Sequence, residues 1–240
     1  MFWRKKQTID DEPASKDGLC VVMPLIGDEE MENLIYHSLR ELPVFAHTLR
    51  ALNKIPVVQE VVLLARQEDL VQVADVAHFT APDKEKHIVC AEMFDVDALL
   101  RGLYTVNEDM DYIALHNPLC PFIDHEVMRD GYQTAKKRGA ARASLPVTDT
   151  VKIVRDNMVL KTPDRTMLYT LQYPIVVEGS LLKAALTKAG DGAMDYHTIL
   201  DGLGLPVVMS KGKAENIRIG QPTDLVHARA MLDLMEDRIC

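Results

Sequence analysis

Residues 19–27 read LCVVMPLIG, an apolar run of strand length that ends on a glycine. Similar runs follow at 61–65 (VVLLA), 87–91 (HIVCA), 112–116 (YIALH) and 141–147 (ARASLPV). Between them, apolar side chains recur at three- and four-residue spacing, which predicts helices over 43–53, 67–79, 96–106 and 124–138. Strands and helices that alternate about every 25 residues predict parallel strands joined by right-handed crossovers, in a three-layer α/β sandwich.

The rhythm changes after Pro146. Residues 147–172 hold two β-branched runs on either side of Arg155-Asp156-Asn157, which are turn-forming residues. Because no crossover helix fits between the two runs, we interpret this segment as a β-hairpin arm that leaves the sheet. A hairpin alone is marginally stable in water, so we expect a homodimer in which a second subunit covers the arm. Beyond it, the pattern predicts helices at 179–189, 196–202 and 222–237 and strands at 205–209 and 216–220.

Composition and charge exclude several classes of protein. The 27 Lys and Arg against 36 Asp and Glu give a net charge of −9, so we expect no nucleic-acid partner. No run approaches the roughly 18 to 20 apolar residues of a membrane span, so no membrane is expected either. Residues 1–18 lack an apolar signal segment and are interpreted as a solvated tail before a domain at 19–240. The four cysteines form no C-x-x-C pair, which favours free thiols and a cytoplasmic location.

The loop after the first strand, PLIGDEEMEN at 24–33, stands where α/β sheets bind ligands. A phosphate cradle there needs small residues and a cation, but the loop has only Gly27, no cation, and four acidic residues at 28, 29, 30 and 32. The acidic residues are interpreted as the first turn of a helix, whose dipole they complement. Metal binding by them is the other interpretation, although consecutive helical positions point to different sides. The eight histidines lack zinc-site spacing, and no metal site is predicted.

The C-terminal third carries cations beside the arm and the last strand. Lys152, Lys161 and Arg165 belong to the arm, and Lys211, Lys213 and Arg218 flank the predicted strand at 216–220. If the arm crosses to a partner, Arg165 of one subunit and Arg218 of the other could converge on one anion, because a guanidinium donates two parallel hydrogen bonds to phosphate. A solvated cationic rim is the alternative interpretation.

Several stretches resemble, in order, a known enzyme family. They are PVFAHTLRAL (43–52), LHNPLCP (115–121), PVTDTVK (146–152), TPDR (162–165), EGSLLKAAL (178–186), GLPVVM (204–209) and AENIRIGQPTDLVHARAML (214–232). This order resembles the 2-C-methyl-D-erythritol 4-phosphate cytidylyltransferases of isoprenoid biosynthesis, whose relatives include ribitol 5-phosphate cytidylyltransferases. The resemblance covers about residues 19–237.

The resemblance implies a Rossmann-like nucleotidyltransferase sandwich that dimerises through an extended arm, in agreement with the hairpin. The family joins CTP to a polyol phosphate, with Mg²⁺ bound and pyrophosphate released. Negative charge accumulates in such a transition state, so catalysis depends on cations and metal around the phosphoryl group.

On the nucleotide side, the family's residues are missing here. Only Gly27 matches the Gly-rich first loop with its catalytic Arg, and Leu34 lies in the stretch where the family has its catalytic Lys. In the segment that resembles H-D-A-A-R-P, Asn117 replaces the metal-binding Asp and Cys120 replaces the Arg. Residues 90–98 replace a nucleotide-contacting segment of the pattern G-G-x-x-R-x-x-S.

On the polyol-phosphate side, the match is better. Thr150 and Arg165 match the Thr and Arg of the family's arm that reach into the partner's site. Arg218 stands where the family has Lys in N-I-K, Glu215 stands where it has Asp, and Asp195 keeps the acidic half of a T-D pair. These five residues are the candidates for binding a polyol phosphate or another anion.

Three hypotheses follow for the function. The first is a family member that has lost cytidylyl transfer and acts as a binding or regulatory dimer, with no catalytic residue assigned. The second is a divergent active nucleotidyltransferase that uses Mg²⁺, with the acidic loop recruited for metal and with Arg40, Lys54 or Arg101 supplying charge. The third is a structural partner of a separate active enzyme.

Overall fold

The computed structural model of the chain describes residues 18–189, 204 and 206–237. Its centre is a seven-stranded mixed sheet with the strand order β11-β7-β10-β6-β1-β4-β5. Every strand of this sheet runs parallel to β1 except β10, which is antiparallel to both β6 and β7. The seven strands are β1 (Leu19–Pro24), β4 (Val58–Ala65), β5 (Glu85–Cys90), β6 (Tyr112–Leu115), β7 (Ala140–Pro146), β10 (Tyr169–Glu178) and β11 (Val208–Lys211).

Helices cover both faces of the sheet. They are α1 (Glu29–Ile35), α2 (Val44–Asn53), α3 (Leu70–Thr80), α4 (Val96–Thr105), α5 (His125–Arg138), α6 (Gly179–Ala189) and α7 (Asp224–Asp237). Leu19, Val21 and Met23 of β1 face a core shared with α1, α2, α3, α5 and α7, whereas Cys20 and Val22 face α4 and α6. The predicted three-layer α/β sandwich is therefore confirmed, and none of the described helices is long and apolar enough to cross a bilayer.

Short polar side chains start the helices near the sheet edge. Asp28 accepts a hydrogen bond from the backbone N–H of Met31 at 2.8 Å and begins α1, so the acidic stretch is the first turn of a helix, as predicted. Asp124 begins α5 in the same way, and Gly139 ends that helix with φ +87°, a conformation that favours glycine. Two short strands, β2 (Ser38–Leu39) and β3 (Leu42–Pro43), pair between α1 and α2.

The prediction for the end of the arm segment was incomplete. Residues 169–178 were expected to belong to the arm or to precede a helix, but they form β10, in the middle of the sheet. Ile175, Val176 and Val177 are fully buried there, between β6 and β7. The register of β10 against β7 shifts between Leu171 and Ile175, and this irregularity at Pro174 hides the strand pattern in the sequence.

Two further predictions near the C-terminus need correction. Residues 216–220 are a loop and not a strand, because Asn216 and Ile219 bond to residues of other segments and do not continue a ladder. The strand predicted at 205–209 is β11 at 208–211. The helix predicted at 196–202 and residues 1–17 of the tail predicted at 1–18 lie outside the described residues, and Gly18, the last residue of that tail, is buried.

The hairpin that leaves the sheet is present. It consists of β8 (Ile153–Arg155) and β9 (Met158–Lys161), which, among the described strands, pair only with each other. Asp156 and Asn157 form its turn with φ of +49° and +61°, which is the two-residue geometry that twists with the strands. The segment departs after Pro146 and returns at Tyr169, where these two residues pair and fix the base of the arm.

Candidate functional site

A cavity of about 650 Å³ opens at the carboxyl ends of β1, β4, β5 and β6. Four parallel strands deliver their following loops to this edge, which is where α/β sheets bind ligands. Its walls are partly apolar and partly charged. They are formed by Ile26, Gly27, Asp28, Glu30, Met31, Leu34, Arg66, Glu92, Met93, Phe94, Asn117, Leu119, Arg218 and Gly220.

One side of the cavity is organised by an ion pair between α1 and the end of β4. The Oε1 atom of Glu32 accepts hydrogen bonds from Nε of Arg66 at 2.9 Å and from the backbone N–H of Gly27 at 3.1 Å. An Nη2 atom of Arg66 lies 2.8 Å from the same oxygen, and Glu92 lies 3.9 Å from Nη1. The hydrogen bond to Glu32 raises the pKa of Arg66, so the guanidinium stays charged. The positive charge of Arg66 is thus paired with carboxylates of the same chain.

The charge balance of the cavity is acidic. Two arginines, Arg66 and Arg218, face the three carboxylates of Asp28, Glu30 and Glu92. Arg218 is exposed, and within the described part of the chain no ion pair involves it. Arg218 is therefore the cation of this cavity that can meet an anionic ligand without first breaking an ion pair.

Residues 116–121, with the sequence HNPLCP, form a tight turn at the floor of the cavity. Asn117 Oδ1 accepts from the backbone N–H of Leu119 at 2.9 Å, and its carbonyl oxygen accepts from Cys120 N–H at 3.0 Å. His116 is fully buried, with Nε2 3.2 Å from the carbonyl oxygen of Cys120, and burial lowers its pKa to about 4. Burial also raises the pKa of the Cys120 thiol to about 12. At neutral pH both side chains are uncharged, so neither contributes a formal charge to the site.

The loop that carries Arg218 is tied to β10 by side-chain hydrogen bonds. Asn216 Nδ2 donates to the carbonyl oxygen of Tyr173 at 2.6 Å. Gln172 Nε2 donates to the carbonyl oxygen of Lys213 at 2.8 Å, and its Oε1 accepts from the backbone N–H of Lys213 at 3.1 Å. These contacts hold the loop against the sheet and fix the start of the segment from which Arg218 projects.

Lys213 adds a second anchor for this loop. Its ammonium group forms an ion pair with Asp124, the residue that begins α5, and lies 2.8 Å from Glu126. Hydrogen bonds to these two carboxylates raise the pKa of Lys213, and they lower the pKa of Asp124 although partial burial opposes that change. The charge of Lys213 is therefore used inside the protein and is not offered to a ligand.

Comparison with known proteins identifies the family of this chain. The family model described as "IspD: 2-C-methyl-D-erythritol 4-phosphate cytidylyltransferase" matches residues 22–234. This chain is a member of that cytidylyltransferase family. The family resemblance predicted from the sequence motifs is thereby confirmed.

Two curated relatives are about equally similar to the chain. The 2-C-methyl-D-erythritol 4-phosphate cytidylyltransferase of Syntrophus aciditrophicus is 30% identical over 213 residues, which span 85% of this chain and 89% of that protein. The bifunctional enzyme IspD/IspF of Desulfotalea psychrophila is 32% identical over 217 residues, or 88% of this chain. This chain spans only 56% of the length of that bifunctional enzyme.

Solved structures confirm the cytidylyltransferase fold. The 4-diphosphocytidyl-2C-methyl-D-erythritol synthase of Anaerococcus prevotii superposes with a TM-score of 0.76 at 21% identity and covers 90% of this chain and 99% of its own. The 2-C-methyl-D-erythritol 4-phosphate cytidylyltransferase of Thermus thermophilus gives a TM-score of 0.65 at 20% identity, covering 88% and 98%. Because both identities are low, these structures establish the shared fold of the family.

The structure gathers some of the predicted residues and separates others. Gly27, Leu34, Asn117 and Arg218 line the same cavity, whereas Cys120 is buried below its floor. Of the four remaining candidates, three are described and do not line the cavity, and the fourth is not among the described residues. Glu215 is exposed on the loop before Arg218, Thr150 and Arg165 are exposed on the arm, and Asp195 lies outside the described residues.

Arg165 has a contact within its own arm. An Nη1 atom of Arg165 donates to the carbonyl oxygen of Thr148 at 2.9 Å, which braces the arm close to its base. The side chain remains exposed, and its other nitrogen atoms are available to a ligand or a partner.

The sequence patterns missed the partnership of Glu32 with Arg66. Glu32 was grouped with its acidic neighbours, and Arg66, 34 residues later, was not singled out. A position just after an apolar run could have drawn attention to Arg66, because residues there lie at the carboxyl edge of the sheet. Phe94 and Glu92, which follow β5, belong to the same edge and were considered only as part of the segment 90–98.

The described residues hold no preassembled cluster of side chains for the Mg²⁺ of the family reaction. Among residues 18–189, 204 and 206–237, no group of three or more His, Cys, Asp or Glu side chains is placed to hold a metal ion. Asn117 stands where the family resemblance puts a metal-binding Asp, and its Oδ1 is occupied by the N–H of Leu119. Asp28 is likewise occupied as a helix cap. Asn117 therefore supplies no carboxylate at this position, and the carboxylates that line the cavity are those of Asp28, Glu30 and Glu92.

Proposed function

We propose that this protein is a member of the cytidylyltransferase family that no longer transfers a cytidylyl group and acts as a binding or regulatory dimer for a phosphorylated polyol or a similar anion. The observation that carries the proposal is the charge of the cavity. Its carboxylates outnumber its cations. At the positions where the family has its Lys, its metal-binding Asp and its Arg, this chain has Leu34, Asn117 and Cys120.

A nucleoside triphosphate is strongly anionic, and its transfer reaction develops negative charge on the oxygens around the reacting phosphorus. Loss of one preorganised charged or hydrogen-bonding group typically lowers a rate by about 10²- to 10³-fold. Losses within one site do not add independently. A site without the loop arginine, the lysine and the metal carboxylate nevertheless has few groups left to stabilise the transition state.

The polyol-phosphate side supports retained binding. Arg218 lines the cavity with its guanidinium exposed and without an ion pair among the described residues, and it suits a phosphate because its donors are planar and paired. Thr150, Arg165, Glu215 and Asp195 are proposed to complete the site, the first two from the partner's arm. Each of these four residues stands at a position that corresponds to a polyol-phosphate-binding position of the family.

The arm supports the dimer. Five residues of the arm's two strands expose large apolar side chains, which a hairpin in water cannot bury by itself. They are Ile153, Val154, Met158, Val159 and Leu160. Tyr169 and Leu171 extend this exposed apolar surface to the base of the arm. We therefore propose that this surface, residues 153–160 with 169 and 171, covers a second copy of the chain.

An active nucleotidyltransferase with Mg²⁺ as cofactor is the second candidate, because curated relatives that bear the enzyme's name are about 30% identical over most of the chain. The cations considered for it are placed elsewhere. Arg40 pairs with Asp233 of α7, and Arg101 lies 2.9 Å from Asp97 and donates to the carbonyl oxygen of Cys90. Neither of them lines the cavity, and neither does Lys54.

Calorimetry and a pyrophosphate assay separate the two candidates. We expect 2-C-methyl-D-erythritol 4-phosphate or ribitol 5-phosphate to bind the wild-type protein, CTP–Mg²⁺ to bind at best in the millimolar range, and no pyrophosphate to be released from CTP with either polyol phosphate. The variant Arg218→Ala should weaken binding of the polyol phosphate by about tenfold, the usual effect of one charge-assisted hydrogen bond. Lys211→Ala, an exposed cation on the neighbouring strand, is the matched control and should bind like wild type.

The contrary results are distinct. Micromolar binding of CTP–Mg²⁺ together with pyrophosphate release would establish the enzyme and overturn the proposal. Failure of every polyol phosphate to bind the folded protein, or equal binding by Arg218→Ala and wild type, would overturn the assigned ligand site. Sedimentation of the same samples tests the dimer, because a monomer at micromolar concentration contradicts the role of the arm.

A further inference from the structure

Glu32 is the only carboxylate among the described residues of the first loop and α1 that is hydrogen bonded to a cation of the cavity. Three donors converge on its Oε1 atom: the backbone N–H of Gly27 and two nitrogen atoms of Arg66. The distances lie between 2.8 and 3.1 Å, which is the range of well-formed hydrogen bonds.

This donor set is of the kind that holds a phosphate oxygen. A loop N–H beside the end of a strand and the fork of an arginine are the two groups that proteins commonly direct at a phosphate. Here both are directed at a carboxylate that the chain itself supplies five residues after Gly27. The Glu32 and Arg66 side chains are 23% and 29% exposed, so their pairing is partly shielded from water and salt.

We infer that Glu32 is a resident anion that occupies two anion-binding groups of the cavity, the Gly27 N–H and the Arg66 guanidinium, and thereby determines which ligands the cavity excludes. An external pyrophosphate or triphosphate group would have to displace the Glu32 carboxylate from Arg66 and would then lie beside it. This inference rests on the proposed loss of nucleotide binding and deepens it, because it names a residue whose removal restores an anion site.

Glu30 provides a matched control within the same helix. It lines the same cavity and carries the same charge, but no hydrogen bond or ion pair joins it to Arg66 in the described structure. Replacing either glutamate changes the net charge by the same amount. A difference between the two variants therefore reports the contact with Arg66 and Gly27 and not the general field of the cavity.

The test is isothermal titration of inorganic pyrophosphate, without metal, into wild type, Glu32→Gln, Glu32→Ala and Glu30→Gln. We expect both Glu32 variants to bind pyrophosphate at least about tenfold more tightly than wild type, since a charged arginine and a loop N–H become available. Glu30→Gln removes the same charge but frees no donor, so its gain should be at least about fivefold smaller than that of Glu32→Gln. The double variant Glu32→Ala with Arg66→Ala should lose the gain.

Equal affinity of the Glu32 and Glu30 variants would overturn the inference, and so would a gain that survives removal of Arg66. Glu32→Gln keeps the length of the side chain and one acceptor for the Gly27 N–H, so it is expected to fold if Glu32→Ala does not. Failure here is distinguishable from failure of the proposed function. Tight CTP–Mg²⁺ binding by wild type contradicts the proposed function, whereas indifference of pyrophosphate binding to Glu32 contradicts this inference alone.

Discussion

The buried imidazole of His116 makes the stability of this protein dependent on pH in a defined range. Burial lowers its pKa to about 4, from about 6.5 in an unfolded chain. Between these values the unfolded chain binds a proton that the folded chain does not, so the free energy of unfolding falls as the pH falls. A difference of about 2.5 pH units, at 1.36 kcal/mol for each, gives a loss of about 3 kcal/mol between pH 7 and pH 4.

The variant His116→Gln isolates this contribution. A glutamine amide can donate to the carbonyl oxygen of Cys120, as Nε2 of His116 does at 3.2 Å, but it does not titrate. Urea unfolding at pH 7, 6, 5 and 4 should show wild type losing about 3 kcal/mol more than His116→Gln over that range. The exposed His78, changed to Gln, is the control and should follow wild type. Carboxylates such as Asp124 also contribute in acid, but they contribute equally to all three proteins.

The reasoning fails if the stability profiles of wild type and His116→Gln are parallel from pH 7 to pH 4. That result would mean that the imidazole is solvated or charged in the folded state. It would also remove the argument that this turn adds no positive charge to the floor of the cavity.

Two other predictions concern the arm and the loop before Arg218. Val159→Lys puts a charge on the exposed apolar surface of the arm and should shift the protein from dimer to monomer in sedimentation. Val71→Lys, at an exposed position on α3, is the control and should leave the dimer intact. A dimer that persists in Val159→Lys excludes the arm as the interface. Gly212→Ala should lower the free energy of unfolding by about 1 to 3 kcal/mol, because its Cβ would lie 2.8 Å from the backbone oxygen of Ser144. Gly220→Ala, whose nearest neighbour is 3.6 Å away, should unfold at the urea concentration of wild type, and equal stability of both variants would show that the loop relaxes freely.

Local patterns were sufficient to predict most of the sheet. β1 and β4 are buried on both faces, and their short apolar runs are therefore recognisable as strands. The amphipathic spacing of apolar residues located α2, α4 and α5 closely. The turn of the arm was also predictable, because Asp and Asn tolerate the positive φ that it needs.

The failures have a common physical cause, which is dependence on distant residues. β10 begins on the exposed stem of the arm and becomes a central strand only after Pro174, so its first half resembles the arm. Ile217 and Ile219 look like strand residues, but Ile219 bonds to Leu119, a residue of another loop, and its neighbours are held by β10. Such contacts leave no periodic signal in the sequence.

The same limit applied to the candidate site. That Leu34, Asn117 and Cys120 stand where the family resemblance expects Lys, Asp and Arg can be read from the sequence, since it concerns which residue stands at one position. The ion pair of Glu32 with Arg66 could not, because it joins α1 to the end of β4 and depends on how the two elements pack.

The late position of β10 in the chain has a consequence for biosynthesis. In the described sheet β7 lies between β10 and β11, so when the ribosome releases β7 neither of these hydrogen-bonding partners has yet been made. At 5 to 20 residues per second, the interval between the end of β7 and the end of β10 lasts roughly two to six seconds. During that time the apolar arm also emerges, next to an unpaired strand. A nascent chain in this state offers a neighbouring nascent chain an open edge, and chaperone capture is expected to be strongest at this stage of translation.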